Sequence, residues 1–294
     1  MWKNIFIIGI IFCFLFQAKA QFAYPDDSKM ELLAKSENLK NCKLFRNEFC
    51  NVFLFADDNV ICSVGGELDS LPFVAHVDEV GECRTAFLAG EKLIVQRKNE
   101  IVAISQDMNS ISQLVNEEKL YKYGKRDIKL FYSNARGFFV VEYKEDKKTK
   151  STISTLSLFD LAVGKLIPII EADGKINCVS GDTAVMCLGI DTNLVMIANR
   201  KIAFLTTEKE DILAVTPSLS GIFYSTHSSI CFINDDLRKI VIAKQGALQL
   251  VDNCNILFMI LDDGSLIRIL NTYAFRTFKS FFKQETDEIK KSEN

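Results

Sequence analysis

The chain has 294 residues, 48% apolar and 25% charged, with a formal net charge of −3. That apolar content excludes disorder as its main state, because disordered chains combine few apolar residues with high net charge. The slightly acidic balance gives no electrostatic basis for binding nucleic acid, and no apolar run reaches the ~18–20 residues of a membrane span.

Residues 1–20 read MWKNIFIIGIIFCFLFQAKA. Lys3 gives a positive start, Ile5 to Phe16 is an apolar run of twelve, and Ala18 and Ala20 stand at −3 and −1 of a cut after Ala20. These are the three regions of a secretory signal peptide. An uncleaved anchor is the rival reading, for which twelve residues are short. The chain is therefore expected to be secreted or to occupy the lumen of the secretory pathway, such as the endoplasmic reticulum, or the periplasm in a bacterium. Membrane attachment is expected only if this segment is retained.

The segment 21–48 follows. Within it, SKMELLAKSENLK (28–40) has apolar residues at helical spacing, and the segment is read as a short helix or as a strand that closes a ring. From 49 to 283 the pattern changes to apolar runs of four to seven residues separated by Asp, Asn, Gly and Ser, the signature of strands joined by tight turns. Residues 284–294 are polar and read as a disordered tail.

The strands recur in pairs: NVFLFA-DD-NVICSV, KLIVQ-RKN-EIVAIS, GFFVVEY-EDKKTK-STISTLSLF, AVMCLGI-DT-NLVMIA, GIFYS-THS-SICFIN and ILFMIL-DDG-SLIRIL. The second strands begin near Asn59, Glu100, Thr152, Asn193, Ser229 and Ser265, at spacings of 41, 52, 41, 36 and 36 residues. A period near 40 with several strands per unit marks a β-propeller blade. Two stretches also resemble the WD-type repeat: residues 256–281, with the turn Asp262-Asp263-Gly264-Ser265, and residues 154–170, where Phe159-Asp160 stands in place of the family's Trp-Asp. The Gly-His and Trp-Asp pairs of that family are absent as such. The resemblance implies a propeller and carries no function. The expected fold is all-β, a single WD-repeat-like propeller of six to seven blades after the signal peptide. A sandwich or solenoid is the competing architecture, but a sandwich does not require this self-similarity.

Outside the leader, which holds Cys13, there are eight cysteines: Cys42, Cys50, Cys62, Cys83, Cys178, Cys187, Cys231 and Cys254. An even number in an exported chain points to disulfides, and sequence-near pairing gives 42–50, 62–83, 178–187 and 231–254. The apolar settings of Cys187 and Cys231 equally fit buried free thiols. No C-x-x-C spacing is present, which argues against a zinc ribbon or a thioredoxin-like site. There is no N-x-S/T glycosylation site either.

The chemistry-bearing residues are sparse. His76 and His227 are the only histidines and have no metal-ligand spacing. No nucleophile elbow, P-loop or G-x-G-x-x-G occurs. The pairs Asp57-Asp58, Asp235-Asp236 and Asp262-Asp263 lie at strand ends, where Asp serves tight turns, although paired carboxylates can also bind Ca²⁺ or catalyse. Lys119, Lys122, Lys125, Arg126 and Lys129 interleave with Tyr121 and Tyr123; this reads as a solvated loop face, as does the mixed-charge stretch Lys144 to Lys150. FRTFKSFFK (275–283) reads as a closing strand, with a membrane or partner contact as its alternative. No catalytic, cofactor-binding or metal-binding residue is assigned, and no cofactor is expected. The expected role is a protein–protein interaction scaffold with a protein partner. The alternative is a carboxylate-based glycan hydrolase at the propeller channel.

Overall fold

The computed structural model describes residues 29–46, 52–55, 60–65, 74–76, 84–89, 92–107, 110–134, 136–146, 149–234 and 236–272. The signal-peptide segment, the acidic pair Asp57-Asp58, Cys50, Cys83, the 275–283 segment and the 284–294 tail lie outside these residues, as do the side chains of Cys62 and His76.

The chain begins with β1 (Lys29–Lys35) and a 3-10 turn over Glu37–Lys40. It continues through β2 (Lys43–Arg46), β3 (Val52–Phe55), β4 (Val60–Gly65), β5 (Val74–His76), β6 (Thr85–Ala89), β7 (Lys92–Gln96), β8 (Glu100–Asp107) and β9 (Ser110–Lys122). There follow β10 (Asp127–Asn134), β11 (Gly137–Glu145), β12 (Thr152–Asp160), β13 (Lys165–Asp173), β14 (Ile176–Gly181), β15 (Val185–Ile190), β16 (Asn193–Ala198) and β17 (Lys201–Thr207). The last are β18 (Ala214–Ser218), β19 (Gly221–Ser225), β20 (Ile230–Ile233), β21 (Lys239–Ala243), β22 (Ala247–Asn253), β23 (Ile256–Leu261) and β24 (Ser265–Leu270).

All pairings are antiparallel, and the strands form four-stranded sheets. Five are blades of four consecutive strands: β2–β5, β6–β9, β10–β13, β14–β17 and β18–β21. The remaining sheet is composite, with order β1-β24-β23-β22. The structure thus has five blades of consecutive strands, which corrects the expectation of six to seven. The described residues 29–46 build no blade of their own; β1 completes the sheet of β22–β24, and β2 opens the next blade. The first strands β2, β6, β10, β14, β18 and β22 touch their neighbours in an unbroken circuit, so the architecture is a single closed all-β propeller. Pairing of β1 onto β24 covers an edge that would otherwise be open in the composite sheet.

The helical reading of 28–40 is also corrected. Met30, Leu33 and Ala34 stand at helical spacing, but KMELLAK is a strand because the edge of β24 offers it a ladder of hydrogen bonds. Lys29 pairs with Leu270 and Lys35 with Ser265, with a bulge between Leu32 and Ala34. Arg268 Nε donates to Glu31 at 2.7 Å, Lys35 Nζ to Asp263 at 2.7 Å, and the Ser36 amide to Gly264 O at 2.9 Å. Beneath this clasp, Leu39 and Leu44 pack with Val52, Leu54, Phe258 and Ile260.

The paired runs of the sequence are the two middle strands of each sheet. Facing a neighbouring blade on both sides, they bury consecutive residues: β3 (VFLF) and β20 (ICFI) are buried throughout. Blade-to-blade spacing is tight enough to demand glycine at 189, where a Cβ would stand 2.7 Å from Cys178 Sγ and from Ile212 of the connection to the next blade. The WD-like Phe159-Asp160 has a structural role. Phe159 is buried against Phe138, and Asp160 Oδ1 accepts from the amides of Ala162 and Val163 in the turn.

Candidate functional site

The six first strands surround a central channel enclosing about 720 Å³, within the usual size range of small-molecule pockets. Its lining mixes half-buried apolar residues, among them Phe131, Leu213, Leu248 and Val251, with polar ones such as Lys129, Asn177, Gln249 and Asp252. Strands β2 and β22 run side by side in the same sense. Gln249, early in β22, accepts from the Leu44 amide at 2.7 Å and donates to Cys42 O; Arg46, ending β2, donates to the backbone oxygen of Asp252, near the end of β22, at 3.0 Å. The channel thus has a mouth at the strand starts and another at the strand ends.

At the strand-start mouth, Lys129 Nζ donates to Asn177 O at 2.7 Å and lies 5.0 Å from the centroid of the Phe131 ring. It is open to solvent yet surrounded by protein, as a group in a concave site must be. Burial holds its ammonium below the ordinary lysine range, with the charges of Lys43 and Lys175 adding to the effect. The Nδ2 of Asn177 is buried with no hydrogen-bond partner within the protein.

At the strand-end mouth, Asp252 is 6% exposed. Its amide donates to Thr216 Oγ1 at 3.1 Å, but its carboxylate Oδ1 has no partner within the protein. Burial pushes the carboxyl up to about 7, against the opposing pull of Arg46. Ser133, another channel residue, has a hydroxyl likewise buried without a protein partner. Buried polar groups normally have partners, and three such atoms without one, from β10, β14 and β22, belong to residues of this channel.

The other sequence candidates disperse. In the basic cluster, Lys119 pairs with Glu100 at 3.3 Å, Arg126 pairs with Glu142 at 3.0 Å and covers the Tyr121 ring, and only Lys129 enters the channel. The alternation of β10, with Ile128 and Leu130 buried and Lys129 exposed, could have separated it. Asp263 accepts from Ser265 and Lys35, and Asp262 from Gln245, as turn residues. His227 sits in the β19–β20 turn. No group of three or more metal-ligating side chains exists among the described residues. Cys178, Cys187 and Cys231 are buried free thiols, so the proposed pairs 178–187 and 231–254 are not formed. Burial pushes the thiols of Cys178 and Cys187 up to about 12, which makes them unreactive. Cys42 is buried, with its thiol 3.4 Å from Asn38 O, and Cys254 occupies a β22–β23 turn at φ 54°. Asp252 was invisible in the sequence, since a lone Asp before Asn and Cys reads as a turn.

No protein-family model matches the chain, and no curated protein matches it in sequence. Solved structures do match its shape. A carbohydrate-active enzyme of family AA12 from Trichoderma reesei superposes with a TM-score of 0.59 at 7% identity, covering 86% of this chain and 98% of that one. A luciferin-regenerating enzyme gives 0.59 at 10% identity, with 83% and 96% covered. Virginiamycin B lyase from Staphylococcus aureus gives 0.50 at 8% identity, with 83% and 99% covered. Identities this low show the shared propeller fold alone.

Proposed function

We propose that this chain is an exported propeller acting as a protein-binding scaffold in the secretory pathway or outside the cell, through the outer edge of blade β14–β17. The WD-like rhythm of the sequence is consistent with that use. The observation that carries the reading is β17 itself. It is the last strand of its sheet, and it presents Ile202 and Phe204, 52% and 74% exposed, on one face. Edge strands are usually blunted by charge, proline or brevity. The corresponding strand β13 carries exposed Pro168, and β5 has three residues. Strand β17 has seven residues, a single charged residue (Lys201) and no proline. An extended peptide can add to such an edge by backbone hydrogen bonding, with apolar side chains giving specificity.

The glycan-hydrolase reading lacks comparable support. It needs two carboxyls facing each other across a cleft. Among the described channel residues, the charged neighbour that acts on Asp252 is Arg46, and Asp182 is engaged by the Ala184 and Val185 amides in a turn.

The test is affinity capture from the exported fraction of the source cells, followed by titration of the purified partner. Phe204→Glu is expected to raise Kd at least tenfold with an unchanged circular dichroism melt, as for a central interface residue. Equal recovery by wild type and Phe204→Glu would refute the assignment of this edge.

A further inference from the structure

We infer that the strand-start mouth of the central channel binds a small organic carboxylate, with its carboxylate against Lys129 and Asn177 and its apolar body between the channel walls. The inference is independent of the β17 edge. Three observations carry it. Two side-chain donors stand at this mouth: Lys129 uses one of its protons on Asn177 O, and Asn177 Nδ2 is buried with no acceptor in the protein. No ion pair engages Lys129 among the described residues, while Lys43 and Lys175 add positive potential. Beside and behind Lys129 the channel offers half-buried apolar side chains, Phe131, Leu213, Leu248 and Val251.

The pairing of charge with an apolar bore selects the ligand class. An ammonium held among cations and partly stripped of water gains most from an anion that brings its own acceptors. A bare inorganic anion would satisfy the donors but leave the bore unused. An apolar amine would be repelled at the mouth. A carboxylate bearing a hydrocarbon body satisfies both, and burying that body contributes roughly 0.8 kcal/mol per methylene.

The experiment is calorimetric titration of the purified chain with octanoate, with octylammonium and inorganic phosphate as comparators. Octanoate is expected to saturate at one per chain, and the comparators to show no saturable heat over the same range. Lys129→Met should weaken octanoate at least tenfold, whereas Lys129→Arg should retain most of the affinity. In the wild-type protein, which does not rely on a variant folding, octanoate should slow acetylation of Lys129 severalfold relative to Lys201 on the outer edge, as read by mass spectrometry. Absence of saturation, phosphate binding as tight as octanoate, an unchanged Kd in Lys129→Met, or equal acetylation of Lys129 with and without octanoate would each overturn the assignment.

Discussion

Replacing Phe138 by alanine is expected to destabilise the protein by about 3–5 kcal/mol, the range for truncating a fully buried aromatic residue. Phe138 is 0% exposed. Its ring stacks on cross-strand partner Phe159 at 5.0 Å and meets Phe87 of the preceding blade edge-on at 5.8 Å. The side chain therefore joins two strands within one sheet and two sheets within the ring. A loss of that size is a large share of the ~5–15 kcal/mol by which domains are usually stable. Phe138→Leu keeps most of the volume and should lose clearly less. Urea denaturation of the two variants measures the difference. Equal losses, or a loss below about 1 kcal/mol for Phe138→Ala, would contradict the inter-blade packing described here.

The second large effect is a pH dependence centred on Asp252. An unfolded aspartate ionises near pH 4, whereas burial raises this carboxyl to about 7 in the folded protein. Below pH 4 both states are protonated and the residue is neutral with respect to stability. Between pH 4 and 7 the unfolded state ionises first, so the wild type loses stability as pH rises. Above pH 7 both states are ionised and the penalty is constant, on the order of a few kcal/mol from the linkage relation. Asparagine carries no such penalty. Asp252→Asn should therefore gain stability relative to wild type as pH rises from 4.5 to 8, and the change between the two pH values cancels whatever the amide contributes by itself. Denaturant melts at pH 4.5, 6 and 8 provide the measurement. A difference between the proteins that does not vary with pH would show that the carboxyl is not held in its neutral form.

The middle strands were legible because burial on both faces turns them into uninterrupted apolar runs, as in NVFLFA and SICFIN. Their period led to the propeller. The first and last strands of each blade were harder to read. Strand β10 mixes buried Ile128 and Leu130 with exposed Asp127 and Lys129, and β13 is mostly exposed and carries a proline. Strand β1 carries helical spacing in Met30, Leu33 and Ala34, and what selected the strand was the open edge of β24, more than 200 residues away. The blade count failed because the pair ILFMIL and SLIRIL was counted as a further blade of consecutive strands, whereas its sheet takes its outer strand from β1 at the other end of the described chain. The channel residues were illegible because their environment is long-range. Asp252 owes its burial and its contacts to β18 and β2, and Lys129 owes its setting to Asn177 on the next blade. Five cysteines have described side chains, of which Cys178, Cys187 and Cys231 are buried free thiols, and sequence proximity was a poor guide to pairing. Cys178 stands opposite Gly189 in the ladder and Cys187 opposite Ser180, so the two thiols occupy diagonal positions.

Everything proposed for the channel depends on a ring that is closed by β1. Amide hydrogen exchange across residues 29–35 tests this most directly. The account predicts protection of β1 within about tenfold of that of β24, because releasing β1 opens the composite sheet and the Leu39–Leu44 packing beneath it. Exchange of residues 29–35 at the rate of a free peptide, while β23 and β24 remain protected, would contradict it.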